Sequence, residues 1–215
     1  MSREVVPARG PATRERLMRS AGELFAKHGF RRASVREICA RAHANIAAVK
    51  YHFGGKEQLY RAVLLGSHRE LRDLEPLPRL SASRSPRAAL REWVGFVLRF
   101  LLVHRPSHSF AGQLFARELQ EPSEALTELT RHVMLPVRKE LEGIVGALLG
   151  AAADTPARRG QAANFVLGLC VFHELGRPVL NRLGFAPPTT EAECEPLADA
   201  ITRFAIGGVR ELRRG

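Results

Sequence analysis

Helical periodicity is interrupted twice within Ser34–Lys56, SVREICARAHANIAAVKYHFGGK, and that short stretch constrains the fold more than any other. Val35, Ile38 and Ala42 fall on one face of a first helix, and Val49 and Phe53 on one face of a second. Ser34 is placed to cap the first helix, with Glu37 three residues on, the pattern of a capping box. Asn45 is placed to cap the second. Gly54-Gly55 ends that helix, and Lys56-Glu57 opens a third. Two helices of about two turns each, joined by a tight bend, predict a helix-turn-helix, in which one helix stands proud enough to enter a DNA major groove.

Flanking segments read as helices too. Thr13 is the expected N-cap of a helix carrying Leu17, Ala21, Leu24, Phe25 and His28, stopped by Gly29, with Phe30 as an apolar anchor before Arg31-Arg32. From Lys56 a longer helix runs to about Leu74, with Leu59, Val63 and Leu64-Leu65 on its apolar side. EPLPRLSASRSP then breaks all periodicity. The chain therefore divides into a disordered arm (1–11, with Arg3 and Arg9), a DNA-binding domain (12–72) and a C-terminal domain (73–215). Beyond the linker, helices are expected from Pro86, over Ser109–Gln120, over Ser123–Gly150 with a kink at Pro136, over Thr155–Leu183 and over Glu191–Leu212. No strand-like alternation occurs, so the fold class is all-α.

Charge is distributed in keeping with this division. The net charge is +11, and residues 1–75 hold 15 Lys+Arg against 8 Asp+Glu, a balance of +7 in about a third of the chain. Cationic density around the two short helices is what a phosphate-binding surface requires. A generally Arg-rich composition is the alternative source of that charge. Cys39, Cys170 and Cys194 lie far apart with no CxxC pair, which predicts reduced, buried thiols in a cytoplasmic protein. The N-terminus lacks a signal-peptide pattern. The longest apolar stretch, Trp93–Val103, contains Arg99 and is too short to span a bilayer, so no membrane partner is expected.

The last two long helices carry more apolar surface than one core can use. Phe165, Leu169, Phe172, Gly176 and Leu180 line one face of the first, while Val166, Cys170 and Val171 broaden the arc. Leu197, Ile201, Phe204 and Gly208 line one face of the second, with Ile206 and Val209 pointing elsewhere. Two apolar faces need two partners, and a second copy of the chain meets that need through residues 155–183 and 191–212. A thick single-chain bundle is the alternative.

The segment TRERLMRSAGELFAKHGFRRASVREICARAHANIAAVKYHFGGKEQLYRAVL resembles the N-terminal domain of TetR/AcrR-family transcriptional regulators, densely over about residues 13–64. The NIAAVKYHFGGKEQLY wording and the region around HELGRPVLNRLG resemble the CecR-type subgroup. The resemblance implies an all-helical homodimer of about nine helices per chain, whose first three helices bind a palindromic operator in double-stranded DNA. It also implies a small-molecule effector entering the C-terminal domain. Carried over residue by residue, DNA contacts fall on Ser34, Arg36, Asn45, Ile46, Ala47, Ala48, Lys50, Tyr51, His52 and Lys56. Lys50 and Arg36 can reach guanine O6/N7 or phosphates, and Ala47 and Ala48 can touch thymine methyls. Tyr51 and His52 suit backbone oxygens, Tyr51 alternatively packing on the first helix. Lys56 adds charge at a helix start. Two departures stand out: His43 occupies the turn position where the family usually has Gly, and Lys50 replaces the usual aromatic.

Other chemistries fit poorly. His173-Glu174 begins like HExxH, but Arg177 stands where the second histidine is needed. Gly54-Gly55-Lys56 lacks the Ser/Thr and preceding strand of a phosphate loop. His104 and His108 are separated by Pro106. No catalytic constellation, metal site or cofactor is expected. Phe110, Leu114, Arg117, His132, Phe165 and Phe172 are the expected effector-contact residues. The expectation is a ligand-released repressor. Its alternatives are a non-specific architectural DNA-binding protein and a small-molecule-binding helical protein whose DNA function has lapsed.

Overall fold

The computed structural model describes residues 11–74, 76–82, 85–104 and 109–214, with side chains given there except for 68–74. The expected arm with Arg3 and Arg9 lies outside the described residues apart from Pro11, as do Glu75, Ser83 and Arg84 of the linker and His108 of the histidine pair. The described residues form α1 (Pro11–Arg32), α2 (Val35–Arg41), α3 (Ala47–Phe53), α4 (Lys56–Leu74), α5 (Pro86–Arg99), α6 (Phe110–Gln120), α7 (Glu124–Leu129), α8 (Leu135–Leu149), α9 (Pro156–Leu175), α10 (Arg177–Arg182) and α11 (Glu191–Arg214). None is long and apolar enough to cross a membrane.

Two compact units result, one of Met1–Glu70 with His108–Leu129 and the other of Leu71–Ser107 with Thr130–Gly215. The first is therefore not contiguous in sequence: α6 and α7 pack with α1–α4. Its core is built where the periodicity places it, from Leu17, Ala21, Leu24 and Phe25 of α1, Ile38 of α2, Val49 of α3 and Leu59, Val63 and Leu64 of α4. Phe25 and Phe30 flank the Tyr60 ring, each with centroids 5.0 Å from it. Gly22 lets α6 approach α1 closely, since a Cβ there would lie 2.9 Å from Phe110 Cε2.

Local chemistry explains most boundaries and corrects several. Thr13 lies inside α1 and accepts from Arg16 Nη2 at 3.0 Å, so it is not the N-cap. The helix is broken at Gly29 (φ 76°) as expected, but one further turn carries it to Arg32. Ser85, Ser109 and Thr155 cap α5, α6 and α9 through hydroxyls that accept from Ala88, Gly112 and Arg158 N–H. The helix expected over Ser123–Gly150 is split: a π-helical turn, Thr130–Met134, separates α7 from α8. Pro136 is its cause, because a proline has no N–H to offer the carbonyl four residues earlier. Thr155–Leu183 is likewise two helices, broken at Gly176.

The second unit packs α5, α8, α9 and α11 around one core containing Trp93, Leu98, Ile144 and Cys170. Trp93 Nε1 donates to Val137 O at 3.1 Å, so its one polar group is satisfied. Val166 and Cys170 of α9, and Ile201, Ala205, Ile206 and Val209 of α11, face this core. Ile201 thus points inward, away from the face it was expected to share with Phe204, which is 72% exposed. Both helices have a second apolar face, as expected. Phe165, Leu169 and Phe172 with Phe204, Gly208 and Leu212 line an open groove of about 720 Å3. All three cysteines are free and buried.

Candidate nucleic-acid interface

The helix-turn-helix is assembled by caps and by one unusual backbone angle. Ser34 Oγ accepts from Glu37 N–H at 3.1 Å and starts α2. Ala42, His43 and Ala44 make the turn, where His43 takes φ 49°, the one positive φ of a non-glycine among the described residues. Histidine enters the left-handed region with less strain than most side chains, which is why the bend survives without glycine. Ala44 N–H donates to Cys39 O at 2.9 Å, and Arg16 Nε of α1 donates to Ala42 O at 3.1 Å, anchoring the turn to the body of the unit. Asn45 Oδ1 accepts from Ala47 N–H at 2.9 Å, one residue upstream of Ile46, which precedes the recognition helix and has no side-chain cap bond of its own. Gly54 (φ 87°) closes it, its N–H donating to Lys50 O.

Alternation of burial along α3 decides what it can do. Ala48 and Val49 are buried, while Ile46, Ala47, Lys50 and Tyr51 are exposed together with Asn45. Phe53 is half-buried beneath the Arg14 guanidinium, 5.1 Å from the ring centroid. One side of the helix is thus held by the core. The other presents a lysine, a phenol and small apolar groups, which suits a polyanionic groove with base edges on its floor. Ser34 and Arg36 are exposed at the start of α2, where helix-end N–H groups favour a phosphate.

Not every expected contact is available. Ala48 is 1% exposed and belongs to the core, so it cannot meet a thymine methyl. Tyr51 is 74% exposed, so it does not pack on α1. His52 is half-buried with its ring 5.0 Å from that of Tyr51. Lys56 is engaged inside the unit: its Nζ donates to Arg31 O at 3.2 Å and stands 4.8 Å over the Phe30 ring. Burial holds that ammonium below the usual lysine range.

The six expected effector contacts are divided between the two units. Phe110, Leu114 and Arg117 are in the first unit and His132, Phe165 and Phe172 in the second. Leu114 is wholly buried, and Phe110 packs on Gly22. Arg117 donates from Nε to Ala26 O at 2.7 Å and from Nη2 to Lys27 O at 2.8 Å, capping the carbonyls of α1 just before its break at Gly29. His132 is exposed on the π-helical turn, and Phe165 and Phe172 line the open groove between α9 and α11. Sequence reading missed Arg117 as a cap and Glu118 as a buried anchor. Only the charge of two residues amid an apolar helix hinted at them. Among the described residues no group of three or more metal-ligating side chains comes together.

Known proteins resemble the chain along both segments. The model of bacterial regulatory proteins of the tetR family matches residues 17–63. That of the C-terminal domain of the HTH-type transcriptional dual regulator CecR matches residues 86–209. CecR of Shigella flexneri is 29% identical over 184 residues, 78% of this chain and 82% of that protein. The transcriptional repressor NicS of Pseudomonas putida is 32% identical over 92 residues, 43% of each. Among solved structures, the flavonoid-responsive regulator FrrA superposes with a TM-score of 0.64 at 24% identity, covering 93% of this chain and 97% of its own. A protein of Pseudomonas aeruginosa PAO1 gives 0.68 at 23% identity, with 93% of each chain covered.

Proposed function

The chain belongs to the TetR family of transcriptional regulators, with a C-terminal domain of the CecR type, and on that premise we propose that it is a homodimeric repressor of an inverted-repeat operator, released by a small molecule. The observation that carries the reading is the two-sidedness of α3, where Ala48 and Val49 are locked into the core and Ala47, Lys50 and Tyr51 are left outside. Each copy offers its α3 to one major groove, and the half-sites lie about one helical turn apart or a multiple of it. Lys50 supplies guanine or phosphate contact, and Arg36, Ser34 and Asn45 set register on the backbone.

A second copy covers the groove between α9 and α11. Five exposed or half-exposed apolar side chains there, Phe165 and Phe204 among them, are a poor surface for a lone soluble chain. DNA binding resides in residues 12–72, buttressed by α6 and α7, and pairing in residues 73–215. An effector releases the operator only if it favours the non-binding arrangement of the paired heads; a hundredfold release needs about 2.7 kcal/mol of coupling.

The test is operator binding by Lys50→Ala and Arg36→Ala. Each variant is expected to lose roughly tenfold in affinity, since one charge-assisted contact is worth about 1–3 kcal/mol. If Arg36 meets phosphate, its loss also lowers the salt slope by about one. Unchanged binding by both variants contradicts the reading.

A further inference from the structure

We propose that the cleft between the end of α1, Tyr60 of α4 and the α6–α7 turn is a binding site for a small, multiply charged phosphate compound, separate from the DNA-reading surface. The cleft has a volume of about 670 Å3, within the range of small-molecule sites. Lys27, Arg31, Arg32 and Arg117 line it, against the single carboxylate of Glu121. Among the described residues none of the four cations forms an ion pair, although Arg41 pairs with Glu23 and Arg61 with Glu128 in the same unit. Four cations gathered around a concavity with one carboxylate among them repel one another, and a bound polyanion relieves that repulsion. Guanidinium forks match phosphate oxygens in geometry as well as charge.

A helix C-terminus would ordinarily disfavour an anion, because its last carbonyls carry partial negative charge. Here four carbonyls of that stretch are already engaged. Ala26 O and Lys27 O accept from Arg117, Gly29 O accepts from Ala33 N–H, and Arg31 O accepts from Lys56 Nζ. Since Arg31-Arg32 lead directly into Ala33 and the α2 cap Ser34, an occupant would bear on the segment that positions the helix-turn-helix.

Calorimetric titration of the full-length protein with inorganic pyrophosphate, in the absence of DNA and at constant ionic strength, tests the site independently of the regulatory reading. Saturable binding near one per chain is expected. The double variant Lys27→Gln/Arg31→Gln replaces two exposed side chains and is expected to keep its melting temperature. Its pyrophosphate affinity is expected to fall by about tenfold or more, the scale of one lost charge-assisted hydrogen bond. Binding that sodium chloride reproduces, or that the variant retains, overturns the proposal. So does failure of pyrophosphate to bind; if the variant then also loses affinity for random duplex DNA, the cations serve the DNA backbone.

Discussion

Neighbouring residues with similar chemistry have opposite fates in this chain, and geometry decides between them. Ala47 and Ala48 are indistinguishable as side chains, yet successive helical positions differ by about 100° of rotation, so one is outside and the other sealed in the core. Glu118 is the reverse case, a carboxylate at 1% exposure that stays satisfied. It accepts from Tyr60 OH at 2.5 Å and from the N–H and hydroxyl of Ser123, both at 2.8 Å. Burial first, and then the bond to Glu118, pushes the Tyr60 phenol far above its usual range. A phenol whose folded pKa is raised adds stability below its unfolded pKa of about 10, and that contribution is lost as pH climbs beyond it. Tyr60→Phe is expected to lower unfolding free energy by about 1.5–3 kcal/mol and to soften the loss of stability above about pH 10. Denaturant midpoints at neutral and alkaline pH would show it, and identical midpoints would deny the bond any net worth. Cys170 is fully buried, its thiol pushed up to about 12 by desolvation. Thiol reagents at neutral pH should therefore modify it only as fast as the protein unfolds.

Elements were legible in the sequence wherever a cap or breaker sits beside a clear period. Ser34, Asn45, Gly54 and the proline-rich linker bracket α2, α3 and α4 at the positions their chemistry requires. Where a break arises from hydrogen-bond accounting over a longer span, the pattern was less informative. Pro136 announced a bend, but its relief as a π-helical turn one step upstream did not follow from composition. The packing of α6 and α7 on α1 was not legible either. It depends on Arg117 and Glu118 finding partners about 60 to 90 residues away, which no local period encodes. Two glycine exchanges in the helix-turn-helix should have opposite signs. Gly54→Ala forces a Cβ into φ 87° and should cost about 1–2 kcal/mol, whereas His43→Gly relieves φ 49° and should be neutral or stabilising by up to about 1 kcal/mol. Thermal melts of the two variants would check both, and the same sign for both would show that the turn is not under left-handed strain.

Across the whole molecule, net charge and apolar surface are allotted to different tasks. Cationic density lies in the first third of the chain, and an open apolar groove lies between α9 and α11. Phe172→Glu with Phe204→Glu places charge in that groove without touching the core. It should yield a folded monomer by sedimentation, with operator affinity reduced by about a hundredfold or more because half-sites are then bound singly. The central claim is that paired α3 helices read sequence. Selection of binding sites from a random duplex pool, followed by affinities at physiological salt, tests it most directly. An inverted repeat is expected to be enriched and bound at least about a thousandfold more tightly than scrambled DNA, with Lys50→Ala eroding that preference. Enrichment of no motif, or a motif bound equally well by Lys50→Ala, would contradict it.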